Sequence, residues 1–315
     1  MAKDKSIRIG ISACLLGEKV RFDGGHKQQR FCTDELSKYV EYTPICPEVA
    51  VGLGTPRPTI RLVNDGEIKV QTSDYKQDHT KALREFSNQI TPKLGHLSGY
   101  IVCAKSPTCG MERVSVYKAG TNNATREGIG VFTQRLMEVH PNLPIEENGR
   151  LNDHNLRENF VTRIFAYHQW HQLMEAGVTK DALFNYHGKH KYLLMAHCPQ
   201  RYRELGSLLG SSTDPIEQIA EQYISGFMGA LKQHATRKAH SNVLQHIQGY
   251  LKKQLSSDER QSMANCIDSY RVGKLPLLAP IALLKHYLTL YPNDYLLKQV
   301  YLNPHPEEMQ LRYEH

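Results

Sequence analysis

The chain has 315 residues, enough for about two domains. Its 40% hydrophobic content supports packed cores and excludes a disordered chain, and no run approaches the roughly 18 apolar residues that a membrane helix needs. The net charge of +7 is spread over the sequence, with 21 basic against 17 acidic residues over 1–150 and 18 against 15 over 151–315. Such a balance permits an RNA partner without demanding one.

Met1-Ala2-Lys3-Asp4-Lys5 leads straight into a strand-like segment with no signal peptide. The expectation is a cytoplasmic protein with no membrane partner and no DNA partner. Seven widely spread cysteines do not suggest a disulfide framework; they read as metal-binding, catalytic or buried thiols. Twelve of the 16 histidines follow residue 150. Their spacings repeat no ligand pattern, so they are expected as neutral hydrogen-bonding groups on a polar surface.

In chain order, residues 6–13 alternate as a first strand, with Cys14 just past its end. A polar, glycine-containing loop follows over 20–27, then a short helix over 34–40 with Asp34 as N-cap. A second strand, Tyr42 to Ile45, ends at Cys46-Pro47-Glu48. Residues 60–72 form a hairpin around Asn64-Asp65-Gly66, because Asp-Gly between alternating runs is a strong turn signal. Leu83, Phe86 and Ile90 give residues 75–90 a helical apolar face. The apolar run Tyr100-Ile101-Val102-Cys103-Ala104 reads as a buried strand, closed by the turn Lys105-Ser106-Pro107-Thr108-Cys109-Gly110. A helix over about 129–140 completes an α/β domain with a mainly parallel sheet over residues 1–150.

Residues 143–152 read as a linker, and helical periodicity dominates beyond it. Helices are expected over 153–176, 179–197, 199–210, 214–235, 238–254, 257–271, 277–290 and 293–301. Residues 151–315 are thus an all-α C-terminal domain.

Cys14, Cys46 and Cys109 each sit at the C-terminal end of a predicted strand or in the turn after it. Such ends converge on one edge of a parallel sheet. Three thiolates in one crevice suit a soft metal or an iron–sulfur cluster, although their spacing matches no local zinc or ferredoxin pattern. Three protein ligands would leave one iron open as a Lewis acid. Glu48 and Ser106 would flank that position with general acid–base capacity. Glu48 could instead cap a helix or pair with Arg57 or Arg61. Cys103, Cys32, Cys198 and Cys266 read as buried thiols.

Ser12-Ala13-Cys14-Leu15-Leu16-Gly17, Val20-Arg21-Phe22-Asp23-Gly24, Cys46-Pro47-Glu48, Gly52-Leu53 with Pro56-Arg57-Pro58, and Ser106-Pro107-Thr108-Cys109-Gly110 together resemble the thiouracil desulfidase (TudS-type) family over about residues 7–150. The resemblance implies a [4Fe-4S] cluster with three cysteine ligands, Cys14, Cys46 and Cys109. It further implies an unligated iron that takes the substrate sulfur, and catalytic roles for Glu48 and Ser106. Arg21, Asp23, Arg57 and Arg61 are further candidates for the substrate pocket. The sequence departs from the pattern at Phe22, where tyrosine is common, at Thr108, where serine is common, and at Cys103-Ala104-Lys105.

The helical half resembles the companion α domain of such desulfidases. The residues that carry this are Asn159-Phe160, Arg163 to Tyr167, His187, His190 to Tyr192 and, most densely, Thr236 to His246. The fused architecture resembles the tRNA 4-thiouridine desulfidase (RudS-type) branch, which implies tRNA as partner and substrate. On a helix over 238–254, Lys238, Asn242 and Gln245 share one face. With His240 they could contact phosphates and sugar hydroxyls. Tyr167, Trp170, Tyr186 and Tyr192 could stack on bases but sit at core spacing. Three alternatives remain open: a free-thiouracil desulfidase with a structural α domain, an iron–sulfur sensor coupled to RNA binding, and a structural zinc site.

Overall fold

A computed structural model of the chain describes residues 7–312. Ser6, expected to open the first strand, and the Met1 to Lys5 lead lie outside the described residues. The chain divides into two compact units, Met1–Leu156 and Arg157–His315.

In the first unit, β1 (Arg8–Ser12) and β2 (Glu41–Ile45) pair in parallel. After β2 comes a four-residue helix, α1 (Pro47–Ala50), and then the expected hairpin, β3 (Ile60–Asn64) and β4 (Ile68–Thr72), paired antiparallel. Helix α2 (Thr80–Ile90), strands β5 (Gly99–Val102), β6 (Val114–Lys118) and β7 (Ala124–Gly128), helix α3 (Val131–Val139) and strand β8 (Ile145–Glu147) follow. The strands form two sheets of four. One is all-parallel, in the order β2-β1-β5-β8; the other, β4-β3-β6-β7, joins two antiparallel hairpins through the parallel pair β3–β6.

The central strands of the parallel sheet are covered on both faces, which is why Ile9, Ile11, Tyr100, Ile101 and Val102 are all buried. Gly10 pairs with Tyr100. A Cβ there would lie 2.2 Å from the Tyr100 ring, so only glycine fits at this point of the sheet. The second sheet packs Leu62, Val70, Val114 and Val116 against Leu83 of α2 and Val131 of α3.

Several sequence expectations change. The helix expected over 34–40 is a π turn, Phe31–Glu35, continued by a 3-10 turn, Leu36–Lys38. Asp34 lies inside the π turn and caps nothing; its carboxylate accepts from the Thr33 hydroxyl. The expected linker over 143–152 contains β8, which is buried throughout and completes the parallel sheet. Its polar letters concealed it: Glu146 accepts from Arg150, and Glu147 accepts the Met111 N–H.

The second unit is helical: α4 (His154–Glu175, which begins just before the division), α5 (Lys180–Lys189), α6 (Lys191–His197), α7 (Pro199–Ser211), α8 (Ile216–Leu231), α9 (Arg237–Tyr250), α10 (Ser257–Arg271), α11 (Leu278–Leu290) and α12 (Asp294–Leu297). The helix expected over 179–197 breaks at His190, between α5 and α6. Thr179 and Thr236 cap α5 and α9, and Ser256 with Glu259 forms a full capping box on α10. The aromatic residues weighed as base-stacking groups form core instead: Trp170, Tyr186 and Tyr192 are buried, and the Trp170 ring stacks on Tyr223 at 5.8 Å. His187 and His190 are buried as well, contrary to a surface role.

Candidate active site: a thiol-lined cavity

In the sheet order β2-β1-β5 the three strand ends stand side by side. Cys46 follows β2 directly, at the N-cap position of α1; Cys14 sits in the 3-10 turn Ala13–Leu16 after β1. Cys103 follows β5 directly, and Cys109 closes the turn beyond it. All four thiols line one cavity of about 390 Å³, together with Arg21, Lys27, Glu48, Arg57, Lys105 and Ser106. This volume lies within the ~300–1,000 Å³ of small-ligand sites.

The turn carrying Ser106 and Cys109 is held from below by the start of α3. Phe132 N–H donates to the Thr108 carbonyl at 3.0 Å, and the Thr133 hydroxyl donates to the Cys109 carbonyl at 2.6 Å. A Cβ on Gly130 would lie 2.5 Å from the Thr108 backbone, so glycine permits this close approach. Lys105 takes a left-handed conformation, φ 65°, at the head of the turn. Ser106 Oγ accepts from the Cys109 N–H at 3.1 Å.

Glu48 is tied at both oxygens. Its Oε2 pairs with the Arg57 guanidinium, and its Oε1 accepts the Thr108 hydroxyl at 2.7 Å. Arg57 is anchored in turn by the carbonyls of Val20 at 2.9 Å and Gly54 at 3.1 Å. Of the alternatives weighed for Glu48, pairing with Arg57 holds and is compatible with facing the cavity, whereas the N-cap of α1 is Cys46 and Arg61 lies elsewhere. Ser106 does not touch Glu48. It meets Thr108 Oγ1 at 2.9 Å, so a chain Ser106–Thr108–Glu48 runs along the wall. Because the Thr108 proton is given to the carboxylate, the Ser106 hydroxyl donates to Thr108.

The remaining candidates separate. Arg21 lines the cavity, with Nη1 at 3.9 Å from Cys103 Sγ and its guanidinium over the Phe22 ring. Asp23 is a turn residue that accepts the Gly25 N–H and pairs with Arg21 at 3.8 Å. Arg61 stacks between the Tyr75 and Tyr117 rings, at 4.5 and 4.7 Å, and is absent from the cavity lining. On α9, Lys238, Asn242 and Gln245 are exposed on one face while Val243, Leu244 and Ile247 are buried. His240 turns inward, its Nδ1 at 2.9 Å from the Tyr301 hydroxyl.

Sequence reasoning read Cys103 as a buried thiol, or as a fourth ligand in the sensor alternative, and missed Thr108 and Ser12 as site residues. Ser12 ends β1; its hydroxyl accepts the Cys103 N–H at 3.0 Å. Cys103 had one legible signal, since it follows its strand as immediately as Cys46 follows β2. Cys32 is a buried thiol as expected, whereas Cys198 and Cys266 are half-buried.

The thiols sit in an environment that resists bare thiolate. The bond to Cys103 and then burial push Cys14 far above the ordinary thiol range; burial first raises Cys46, and burial with the nearby Glu48 pushes Cys109 up to about 12. Cys103 goes the other way, to about 7, because Cys14 donates its proton to it, with Lys27 and Arg21 adding positive charge against the effect of burial. Buried thiols of this kind lose their protons to solvent on binding a soft metal, whose positive charge stabilises the thiolates. Among the described residues, no three Cys, His, Asp or Glu side chains gather closely enough to hold a single metal ion. The donor set and the room between the thiols fit a group of several atoms with sulfur ligands.

Residues 9–148 match the family model described as 2-thiouracil desulfurase, and residues 191–306 match a family described as protein of unknown function, DUF1722. Over 165 residues the chain is 38% identical to the uncharacterized protein YbgA of Escherichia coli (strain K12), covering 98% of that protein and 52% of this chain. Among solved structures it matches the [4Fe-4S]-dependent thiouracil desulfidase TudS at 26% identity, with a TM-score of 0.38, over 46% of this chain and 93% of that one.

Proposed function

We propose that this chain, which matches the 2-thiouracil desulfurase family model over residues 9–148 and DUF1722 over residues 191–306, is a thiouracil desulfidase that removes sulfur from a thiolated uracil, its main substrate being 4-thiouridine in tRNA. The observation that carries this reading is the gathering of Cys14, Cys46, Cys109, Glu48 and Ser106 around one cavity from three adjacent strand ends. In this reading Cys14, Cys46 and Cys109 hold a [4Fe-4S] cluster. When bound, such a cluster supplies a Lewis-acidic iron for the substrate sulfur.

The chain's own residues do the rest. Desulfidation exchanges C=S and water for C=O and hydrogen sulfide, so no net electron transfer is needed. Glu48 keeps a free lone pair on each oxygen and can take a proton from the attacking water. Arg57 holds the carboxylate in place, and Ser106 and Thr108 provide a hydroxyl path along which a proton can return to the departing sulfur. Arg21, Lys27 and Lys105 make the cavity wall basic, which suits a substrate joined to phosphates. The exposed Lys238, Asn242 and Gln245 of α9 offer a polar face for the RNA backbone.

The test is anaerobic. Wild type and Cys109→Ala are reconstituted with iron and sulfide, and loss of the 4-thiouridine absorbance band is followed in bulk tRNA, with free 4-thiouracil in parallel. Loss with wild type only, faster on tRNA, is expected. Activity on the free base alone would reduce the helical half to a scaffold. No activity on either with an intact cluster would overturn the desulfidase reading in favour of an iron–sulfur sensor.

A further inference from the structure

We infer that Tyr75 is a stacking platform, backed by Arg61, for the nucleotide next to the one whose base enters the cavity. The inference deepens the reading of the substrate as 4-thiouridine within RNA and rests on it.

The platform begins where the cavity wall ends. Thr59 and Ile60 line the cavity, and Arg61 is the next residue along β3. Ser73 ties wall and platform together. Its N–H donates to the Thr59 carbonyl at 2.9 Å, its hydroxyl accepts from Thr59 Oγ1 at 2.9 Å, and its carbonyl accepts from Arg61 Nη2 at 2.8 Å. Two residues on, the Tyr75 ring lies 4.5 Å from the Arg61 guanidinium, and Tyr117 of β6 closes the other side at 4.7 Å.

Tyr75 is held firmly and left open. It takes a left-handed backbone conformation, φ 59°, which bulky residues rarely adopt. Its N–H donates to the Thr72 carbonyl at 2.8 Å, and its hydroxyl to the Thr121 carbonyl at 3.2 Å. Pinned at both ends, it is still 38% exposed. A ring fixed in this way can receive a flat partner with little further loss of side-chain freedom. Arg61 supplies the charge. Among the described residues its guanidinium donates to the Ser73 carbonyl and, at 3.5 Å, to Asn122 Oδ1, pairs with no carboxylate, and leaves Nε without a partner. An apolar partner would leave that cation uncompensated, and an inorganic anion would leave the ring unused. A nucleobase carrying a phosphate uses both.

The experiment compares wild type, Tyr75→Ala, Tyr75→Leu and Tyr75→Phe as full-length chains reconstituted anaerobically. Each is given 4-thiouridine monophosphate and a uridine trinucleotide with 4-thiouridine at its centre, and kcat/KM is read from loss of the thiouridine absorbance. Binding of an unreactive all-uridine trinucleotide is measured by calorimetry on the same samples, and thermal melts check folding. Wild type is expected to favour the trinucleotide. Tyr75→Ala should reduce that advantage by about tenfold, mainly through KM, as loss of a base–aromatic stack does. Tyr75→Leu gives the same comparison should the alanine variant not fold. Tyr75→Phe should keep the advantage, because it retains the ring and loses only the bond to Thr121. An unchanged advantage in Tyr75→Ala, or a wild type without one, would overturn the inference while leaving desulfidation intact. Loss in Tyr75→Phe equal to that in Tyr75→Ala would overturn it in favour of a structural hydroxyl. No activity on either substrate with an intact cluster would remove the desulfidase reading; calorimetry would then decide the platform alone, weaker binding in Tyr75→Ala supporting it and equal binding overturning it.

Discussion

At the scale of single residues, the site rests on Glu48. Its carboxylate is held by Arg57 and Thr108, with side-chain exposures of 14% for Glu48 and 5% for Arg57. Glu48→Gln keeps the shape and removes the proton acceptor. We expect desulfidation to fall by about 10²-fold or more. Cluster content, read by iron and sulfide analysis, should stay near wild type. Thr108→Val breaks the path between Ser106 and Glu48 and also removes the 3.5 Å contact of the Thr108 hydroxyl with Cys109 Sγ, so cluster content is read alongside the rate. A smaller loss of kcat, about tenfold or more, is expected, with KM little changed. A Thr108→Val variant with wild-type kcat would show that the hydroxyl chain carries no proton. The sequence displayed Glu48 and Ser106 through their motifs. The connecting role of Thr108 was not legible, because it depends on two strand ends meeting in space.

At the scale of elements, the turn after β5 is only as well placed as the helix beneath it. Gly130 lets α3 approach the Thr108 backbone. Gly130→Ala should push the turn away, at a cost of about 1–3 kcal/mol in stability. Reconstituted iron should fall with it, which thermal melts and iron analysis would show together. A second element-level prediction concerns α5 and the loop before α6. Burial pushes His187 and His190 down to about 4. Unfolded, each titrates near ~6.5, so above that pH both states are neutral and no stability depends on them. As pH falls from about 6.5 towards 4 the unfolded chain binds protons first, and stability drops by up to ~1.4 kcal/mol per pH unit for each histidine. Urea midpoints at pH 7 and pH 5 should therefore differ, and a double His→Gln variant should narrow the difference. The sequence suggested surface histidines here because histidine is polar. Their burial is decided by packing: the His187 ring stacks on Tyr202 and that of His190 on Tyr186.

At the scale of the whole molecule, the two units divide the proposed work, with chemistry in Met1–Leu156 and contact with a macromolecular substrate in Arg157–His315. No described helix is long and apolar enough to cross a membrane. If α9 meets the RNA backbone, charge reversal at Lys238 should raise KM for tRNA and lessen its dependence on salt, with the rate on free 4-thiouracil unchanged. Equal effects on both substrates would place the change in folding rather than in RNA contact. Asn242→Ala and Gln245→Ala should act in the same direction, more weakly, since neither carries charge. His240 belongs to a different category. Its bond to Tyr301 predicts a loss of stability on substitution rather than a selective loss of tRNA.

The sequence by itself marked the residues proposed to carry the chemistry and most of the elements that present them. Alternation, turn residues and helical spacing are local properties, and the motifs around Cys14, Cys46 and Cys109 are contiguous. It also determined that the chain changes character near residue 150. Only the tertiary structure decided that the parallel sheet takes its fourth strand from Ile145–Glu147, where buried carboxylates with internal partners look like a polar linker. It alone distinguished Arg57, bound to Glu48, from Arg61, stacked between two tyrosines. It alone brought Cys103 and Cys14 into the wall of one cavity. Their 89-residue separation is closed by β1–β5 pairing, a long-range choice that no local pattern of residues encodes.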